Sequence, residues 1–172
     1  SAASDVYKRQ EMGKPLPEMV EEVEFSAEII EYYADNGEKF ATEQQIPTQG
    51  GSAVLRRLPI GPLLGIMPWN FPYYQVARFA GPNLMLGNTI ILKHAEICPR
   101  SALRFEELTR EASIPAGVYT NVFATHEQVS DIIADRRIQG ISLTGSERAG
   151  AAVAAQAGEK LKKVVLELGG TD

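Results

Sequence analysis

A chain of 172 residues with 44% hydrophobic and 23% charged side chains is long enough for one domain with a sizeable core, and its composition is that of an ordinary globular protein. A net charge of −5 and a pI near 5.2 argue against a nucleic-acid backbone as partner, which calls for a basic surface. One cysteine excludes an internal disulfide, and two isolated histidines beside it make no metal cluster. No apolar run reaches membrane-spanning length and no signal-peptide core is present, so the expectation is a soluble, cytoplasmic protein.

Ser1–Gln10 carries no apolar period and reads as a non-native or disordered terminus. From Glu11 to Asn36, Met19, Val23, Ala27, Ile30 and Tyr33 recur every three or four residues, which predicts a helix. Gly37 is its expected stop, and the acidic run Glu21–Glu24 reads as its solvated face. Lys39–Gly51 is polar, holds Pro47 and two adjacent glycines, and reads as a loop; a strand follows over Ala53–Pro59. Residues 11–59 therefore form a helix with a connecting segment.

The remainder, residues 60–172, alternates strongly. Leu63–Met67 reads as a buried strand ended by Pro68, and Pro72 fits the first turn of a helix over Tyr73–Leu86. Then come strand Thr89–Leu92, helix Pro99–Ala112, strand Val118–Phe123 and helix Glu127–Ala134. Strand Ile138–Leu143, helix Glu147–Ala157 and strand Lys163–Leu168 complete the series. Strands alternating with helices of this length predict an α/β fold, a Rossmann-like parallel sheet with right-handed crossovers and flanking helices.

In such sheets ligands lie at the carboxyl ends of the strands, where helix N-termini offer unpaired N–H groups. Asn70 falls at one such junction. Its carboxamide suits either a helix cap or a donor to a developing oxyanion, where it would be worth about 3 kcal/mol. Lys93 would point into the same crevice. Gly145-Ser146 opens a helix after a strand and presents N–H groups to an anion, although Ser is also a common cap. Glu167, near the end of an apolar strand, is either a structural carboxylate or, if burial raises its pKa, a general base. Arg78 lies about two helical turns past Asn70 and shares its face. Cys98 precedes Pro99 at a helix start, where a dipole could activate a thiol.

Pro68-Trp-Asn-Phe-Pro72, Ile91-Leu-Lys-His-Ala-Glu96, Leu143-Thr-Gly-Ser146 and Leu166-Glu-Leu-Gly-Gly170, in this order, resemble the aldehyde dehydrogenase superfamily. The resemblance runs from about Glu11 to Asp172 and spans less than half of a typical member, so the chain is expected to be a fragment with an incomplete version of that fold. It implies that residues 60–172 are part of a dinucleotide-binding domain. Asn70 is then the oxyanion donor, and Glu167 activates the water that hydrolyses a thioester. Lys93 and Glu96 bind the adenosine ribose; a carboxylate at Glu96 favours NAD, with NADP possible. Ile66, Met67, Pro68, Trp69, Gly145, Ser146, Leu168 and Gly169 are implied as further cofactor contacts, Gly169-Gly170 allowing close backbone approach to the nicotinamide.

Ala77-Arg-Phe-Ala-Gly-Pro-Asn-Leu-Met85 resembles the branch acting on succinate semialdehyde, in which Arg78 would hold the distal carboxylate. Two departures stand out: Phe79 replaces a lysine common in the wider family, and Phe123-Ala-Thr-His-Glu-Gln128 replaces a Gly-rich turn on the adenine side. The implied reaction oxidises an aldehyde, succinate semialdehyde, to the acid with NAD(P). Its cysteine nucleophile lies a few dozen residues beyond Glu-Leu-Gly-Gly, past Asp172, in a full-length homo-oligomer. Cys98, in a different strand–helix connection, is a bystander, and the chain alone is expected not to oxidise aldehydes. The alternatives are a stand-alone nucleotide-binding module and a member with another aldehyde substrate.

Overall fold

A run of apolar residues with glycine at its centre, Pro62–Met67, forms β3, the middle strand of the sheet, and its alternating side chains fill two different cores. The computed structural model describes residues 11–169. Five parallel strands stand in the order β5-β4-β3-β6-β7: β4 is Thr89–His94, β5 Tyr119–Val122, β6 Gly140–Gly145 and β7 Lys163–Leu168. Parallel strands covered on both faces need apolar side chains on both, which explains why β3 reads as a continuous run rather than an alternation. The α/β, Rossmann-like architecture is the one expected from the sequence.

On one face Leu63, Met67, Ile90 and Leu92 pack with Val76, Phe79 and Ala80 of α2 (Tyr74–Met85) and Phe105 of α3 (Pro99–Glu111). On the other, Leu64, Ile141 and Leu143 pack with Val129 and Ile133 of α4 (His126–Ala134) and Val153 and Ala157 of α5 (Glu147–Glu159). The helix after β3 thus covers one face and the helix after β6 the other, although the strands are neighbours. This reversal opens a crevice at their carboxyl ends, at Met67 and Gly145.

The N-terminal part departs from expectation. Glu11 and Met12 are helical, but Gly13, at φ +69°, and Pro15 interrupt the helix, and α1 runs from Leu16 to Ala41. It passes straight through Gly37 because that glycine is a contact rather than a stop. A Cβ there would lie 2.6 Å from Met85 Cγ, and one on Gly81 would lie 3.1 Å from Tyr33, so both glycines let α1 and α2 approach closely. The expected loop 39–51 contains the end of α1 and a strand, β1 (Gln44–Ile46), paired antiparallel with β2 (Ala53–Leu55) as a small exposed ribbon. Pro72 sits just ahead of α2 rather than in its first turn, and β4 extends past Leu92 to His94. Among the described residues no helix is long and apolar enough to cross a membrane.

Gly65 shows how tightly the first core is packed. A Cβ there would meet the Phe79 ring at 2.6 Å and Leu92 Cδ1 at 2.9 Å, both buried. Gly65→Ala is expected to destabilise the chain by about 1–3 kcal/mol, read from the urea unfolding midpoint.

Candidate functional site

The turn from Trp69 to Tyr73 connects β3 to α2 and carries Asn70. Its backbone is held from three elements. Lys14 Nζ donates to the Asn70 carbonyl at 3.0 Å, and the Tyr73 and Tyr74 N–H groups donate to Glu22 Oε1 of α1 at 2.9 and 3.2 Å. His94, at the end of β4, places Nε2 3.0 Å from the Pro72 carbonyl, while its Nδ1 accepts from the Ala95 N–H at 2.8 Å. Those two partners fit the neutral tautomer with the proton on Nε2. Burial lowers the His94 pKa from 6.5 and outweighs the Pro72 bond and the carboxylates of Glu11 and Glu22, which act the other way.

Asn70 itself is exposed, and it does not cap α2, whose N-cap is Tyr73 without a side-chain hydrogen bond. The cap reading is thereby corrected: Glu22, reaching over from another helix, meets the N–H groups that an Asn cap would have met. Glu22 is the residue that sequence reasoning missed. It was expected on a solvated face, yet it is 5% exposed and lines up with Met19 and Ser26 on the buried stripe of α1. The signal was present in that spacing, an acid three residues after Met19 on the apolar face.

Glu167 also differs from expectation. It lies exposed on β7, an edge strand among the described residues, rather than in a buried terminus. Its Oε2 is 2.9 Å from Arg78 Nη1. Arg78 Nη2 bonds Gln75 Oε1 at 2.9 Å and Thr144 Oγ1 at 3.3 Å, and the guanidinium stands 5.6 Å from the centroid of the Tyr74 ring. Arg78 and Glu167 thus meet across a groove of about 350 Å³, lined also by Phe79, Asn83, Ser142 and Val165.

Ser146 is the N-cap of α5, its hydroxyl accepting from the Ala149 N–H at 3.3 Å. Gly145 ends β6, and its carbonyl accepts from the Gly169 N–H at 3.3 Å. Leu168 leans on α5, where a Cβ on Gly150 would come within 2.5 Å of it. Gly170 lies outside the described residues, as do Ser1–Gln10. Pro68 and Ile66 are partly exposed and Trp69 is 54% exposed, whereas the Met67 side chain is buried in the core, so Met67 can meet a ligand only through its backbone. Lys93 is partly exposed and Glu96 exposed, and among the described residues neither forms an ion pair.

The donor set fits a dinucleotide: α5 offers a helix N-terminus for the pyrophosphate, Lys93 and Glu96 are available for ribose hydroxyls, and Gly145 and Gly169 bring backbone close. No group of three or more His, Cys, Asp or Glu among the described residues is placed to hold a metal. Cys98 is fully buried at the start of α3, its sulfur 3.9 Å from the Trp69 carbonyl. Burial, with Glu11 and Glu22 nearby, pushes its thiol up to about 12. A thiol so placed is no nucleophile near neutral pH.

Residues 5–172 match the aldehyde dehydrogenase family model, a match that begins inside the stretch expected to lie outside the resemblance. An NADP(+) succinate-semialdehyde dehydrogenase of Deinococcus radiodurans is 53% identical over 162 residues, 94% of this chain and 34% of the relative. The corresponding NAD(P)+ enzyme of Escherichia coli is 44% identical over 163 residues, 95% of this chain and 35% of its own length. The crystal structure of succinic semialdehyde dehydrogenase from Streptococcus pyogenes, in complex with NADP+, superposes with a TM-score of 0.97 at 47% identity, covering 98% of this chain and 37% of that one. The chain therefore spans about a third of the length of these relatives.

Two outcomes follow from the burial of Cys98 and His94. Iodoacetamide at pH 8 leaves the folded chain unlabelled by mass spectrometry and labels it in denaturant. Because the folded pKa of His94 is lowered, its neutral form adds stability that is present above about pH 6.5 and lost as pH falls towards the folded value. The urea midpoint is thus lower at pH 5.5 than at pH 7.5, and His94→Gln reduces that difference.

Proposed function

The chain belongs to the aldehyde dehydrogenase family, and from that premise we propose that it is the cofactor-binding segment of an NAD(P)-dependent enzyme oxidising succinate semialdehyde to succinate. The observation that carries the substrate class is Arg78. Its guanidinium already grips one carboxylate, that of Glu167, at 2.9 Å beside the crevice. A guanidinium that presents Nη1 to a carboxylate suits the distal acid of a semialdehyde, and a substrate taking that place releases Glu167.

The roles then divide as follows. Asn70 donates its carboxamide N–H to the aldehyde oxygen as negative charge develops there. Arg78 orients the substrate from its far end, and Glu167, once released, accepts the proton of the hydrolytic water. Ser146 and the first turn of α5 hold the pyrophosphate, and Lys93 and Glu96 the adenosine ribose. Ile66, Pro68, Trp69, Leu168 and Gly169 border the nicotinamide end, together with the backbone of Met67. Bound NAD(P)+ supplies the two-electron acceptor, so aldehyde and water become acid, NAD(P)H and a proton. The only thiol of this chain is inert, so the nucleophile belongs to the remainder of the complete enzyme. A cytoplasmic, homo-oligomeric enzyme is part of the same proposal.

Glu96 favours a free ribose hydroxyl, whereas the relatives named above are described with NADP(+) or NAD(P)+. Parallel titrations with both cofactors decide between them. In the complete enzyme Arg78→Ala raises KM for succinate semialdehyde by about 10- to 100-fold and leaves kcat/KM for an uncharged aldehyde nearly unchanged. Equal losses on both substrates would rule out the carboxylate role. Asn70→Ala lowers kcat by about 100-fold or more.

A further inference from the structure

The helix that follows Asn70 has no cap of its own. Tyr73, its N-cap, makes no side-chain hydrogen bond, and Tyr73 is 2% exposed, so water cannot serve its N–H. Glu22 of α1 supplies the acceptor, one carboxylate oxygen taking both the Tyr73 and Tyr74 N–H groups. The other oxygen is 3.6 Å from Lys14 Nζ. Lys14 in turn donates to the Asn70 carbonyl at 3.0 Å and stands 3.4 Å from the centroid of the Phe71 ring. Both groups reach the turn from a distant part of the chain, more than fifty residues away.

We propose that Glu22 and Lys14 are a positioning pair for Asn70, a clamp that fixes the backbone from the carbonyl of Asn70 to the N–H groups of Tyr73 and Tyr74 and so aims its carboxamide. The proposal rests on the reading of Asn70 as the oxyanion donor. Glu22 sets where α2 begins, and its charge also complements the positive end of that helix. Lys14 ties the carbonyl of Asn70 itself to the same carboxylate. With the peptide plane after Asn70 held by Lys14 and the start of α2 held by Glu22, the side chain has few conformations left beyond its own rotamers. The clamp exists because Gly13 and Pro15 break the chain ahead of α1, which turns Lys14 towards the turn instead of continuing a helix.

The test uses the complete enzyme and four variants: Asn70→Ala, Glu22→Ala, Glu22→Gln and Lys14→Met. Misplacing a reacting group by about 1 Å costs about 100-fold, so Glu22→Ala lowers kcat by about that factor while KM for the cofactor stays within about two-fold. Glu22→Gln keeps an oxygen for the two N–H groups and recovers most of kcat. Lys14→Met keeps the stem, loses the ammonium and lowers kcat by about 10-fold. Hydrogen exchange of the peptide containing Tyr73 and Tyr74 quickens in Glu22→Ala and not in Glu22→Gln.

A merely structural Glu22 would lower the melting temperature and leave kcat per folded enzyme unchanged, which overturns the proposal, as does a Gln variant no better than Ala. If Glu22→Ala fails to fold, Lys14→Met decides: unchanged kcat overturns the clamp. Asn70→Ala with normal kcat instead defeats the oxyanion reading, a different failure from normal Asn70 sensitivity with an indifferent Glu22.

Discussion

A half-buried turn must find partners for its own backbone, and at the junction of β3 and α2 that requirement organises much of the molecule. Trp69, Asn70, Pro72, Tyr73 and Tyr74 each offer a main-chain group that meets Cys98, Lys14, His94 or Glu22. These partners come from the segment before α1, from α1, from the end of β4 and from the start of α3. One junction thereby ties together most of the elements on the first face of the sheet. It also accounts for a buried histidine and a fully buried thiol so near the crevice at the strand ends: each serves the backbone.

The same economy governs the two helices that cover the turn. Gly37 and Gly81 remove side chains where α1 and α2 cross, and Phe25 stacks on Tyr74 at 5.4 Å between ring centroids. Close packing there brings Glu22 within reach of α2. A carboxylate is costly to bury alone, but here it accepts two N–H groups and faces an ammonium. The groove on the far side of α2, where Arg78 and Glu167 meet, is by contrast open to solvent, so their pairing contributes little to stability.

Much of this architecture was legible in the sequence. The apolar runs of β3, β4 and β6 and the helices between them follow from periodicity, because parallel strands covered on both faces leave a strong compositional trace. The strand-to-helix junctions at Asn70 and Ser146 were placed by the same pattern. What escaped were contacts that depend on partners distant in sequence. Gly37 resembles a stop until Met85 is placed against it; Glu22 resembles a surface acid until α2 is packed beside it. Glu167 was expected in a buried strand end because Val164 to Leu168 is apolar around it, but composition does not reveal that β7 lies at the edge of the sheet among the described residues. Of the short, exposed ribbon, β2 falls within the strand expected over Ala53–Pro59, whereas β1, with Ile46 its one apolar residue, is too short and polar to announce itself.

The distance in sequence between Glu22 and Tyr73 also bears on the order in which the chain folds. A helix whose N-terminal donors are met by its own neighbouring residues can begin locally, whereas α2 obtains those acceptors only after α1 has docked. Its first turn is therefore secured only when α1 packs against α2. Asn70 acquires its final orientation only at that stage, so a partly folded chain could hold a native-like sheet and still lack an ordered site.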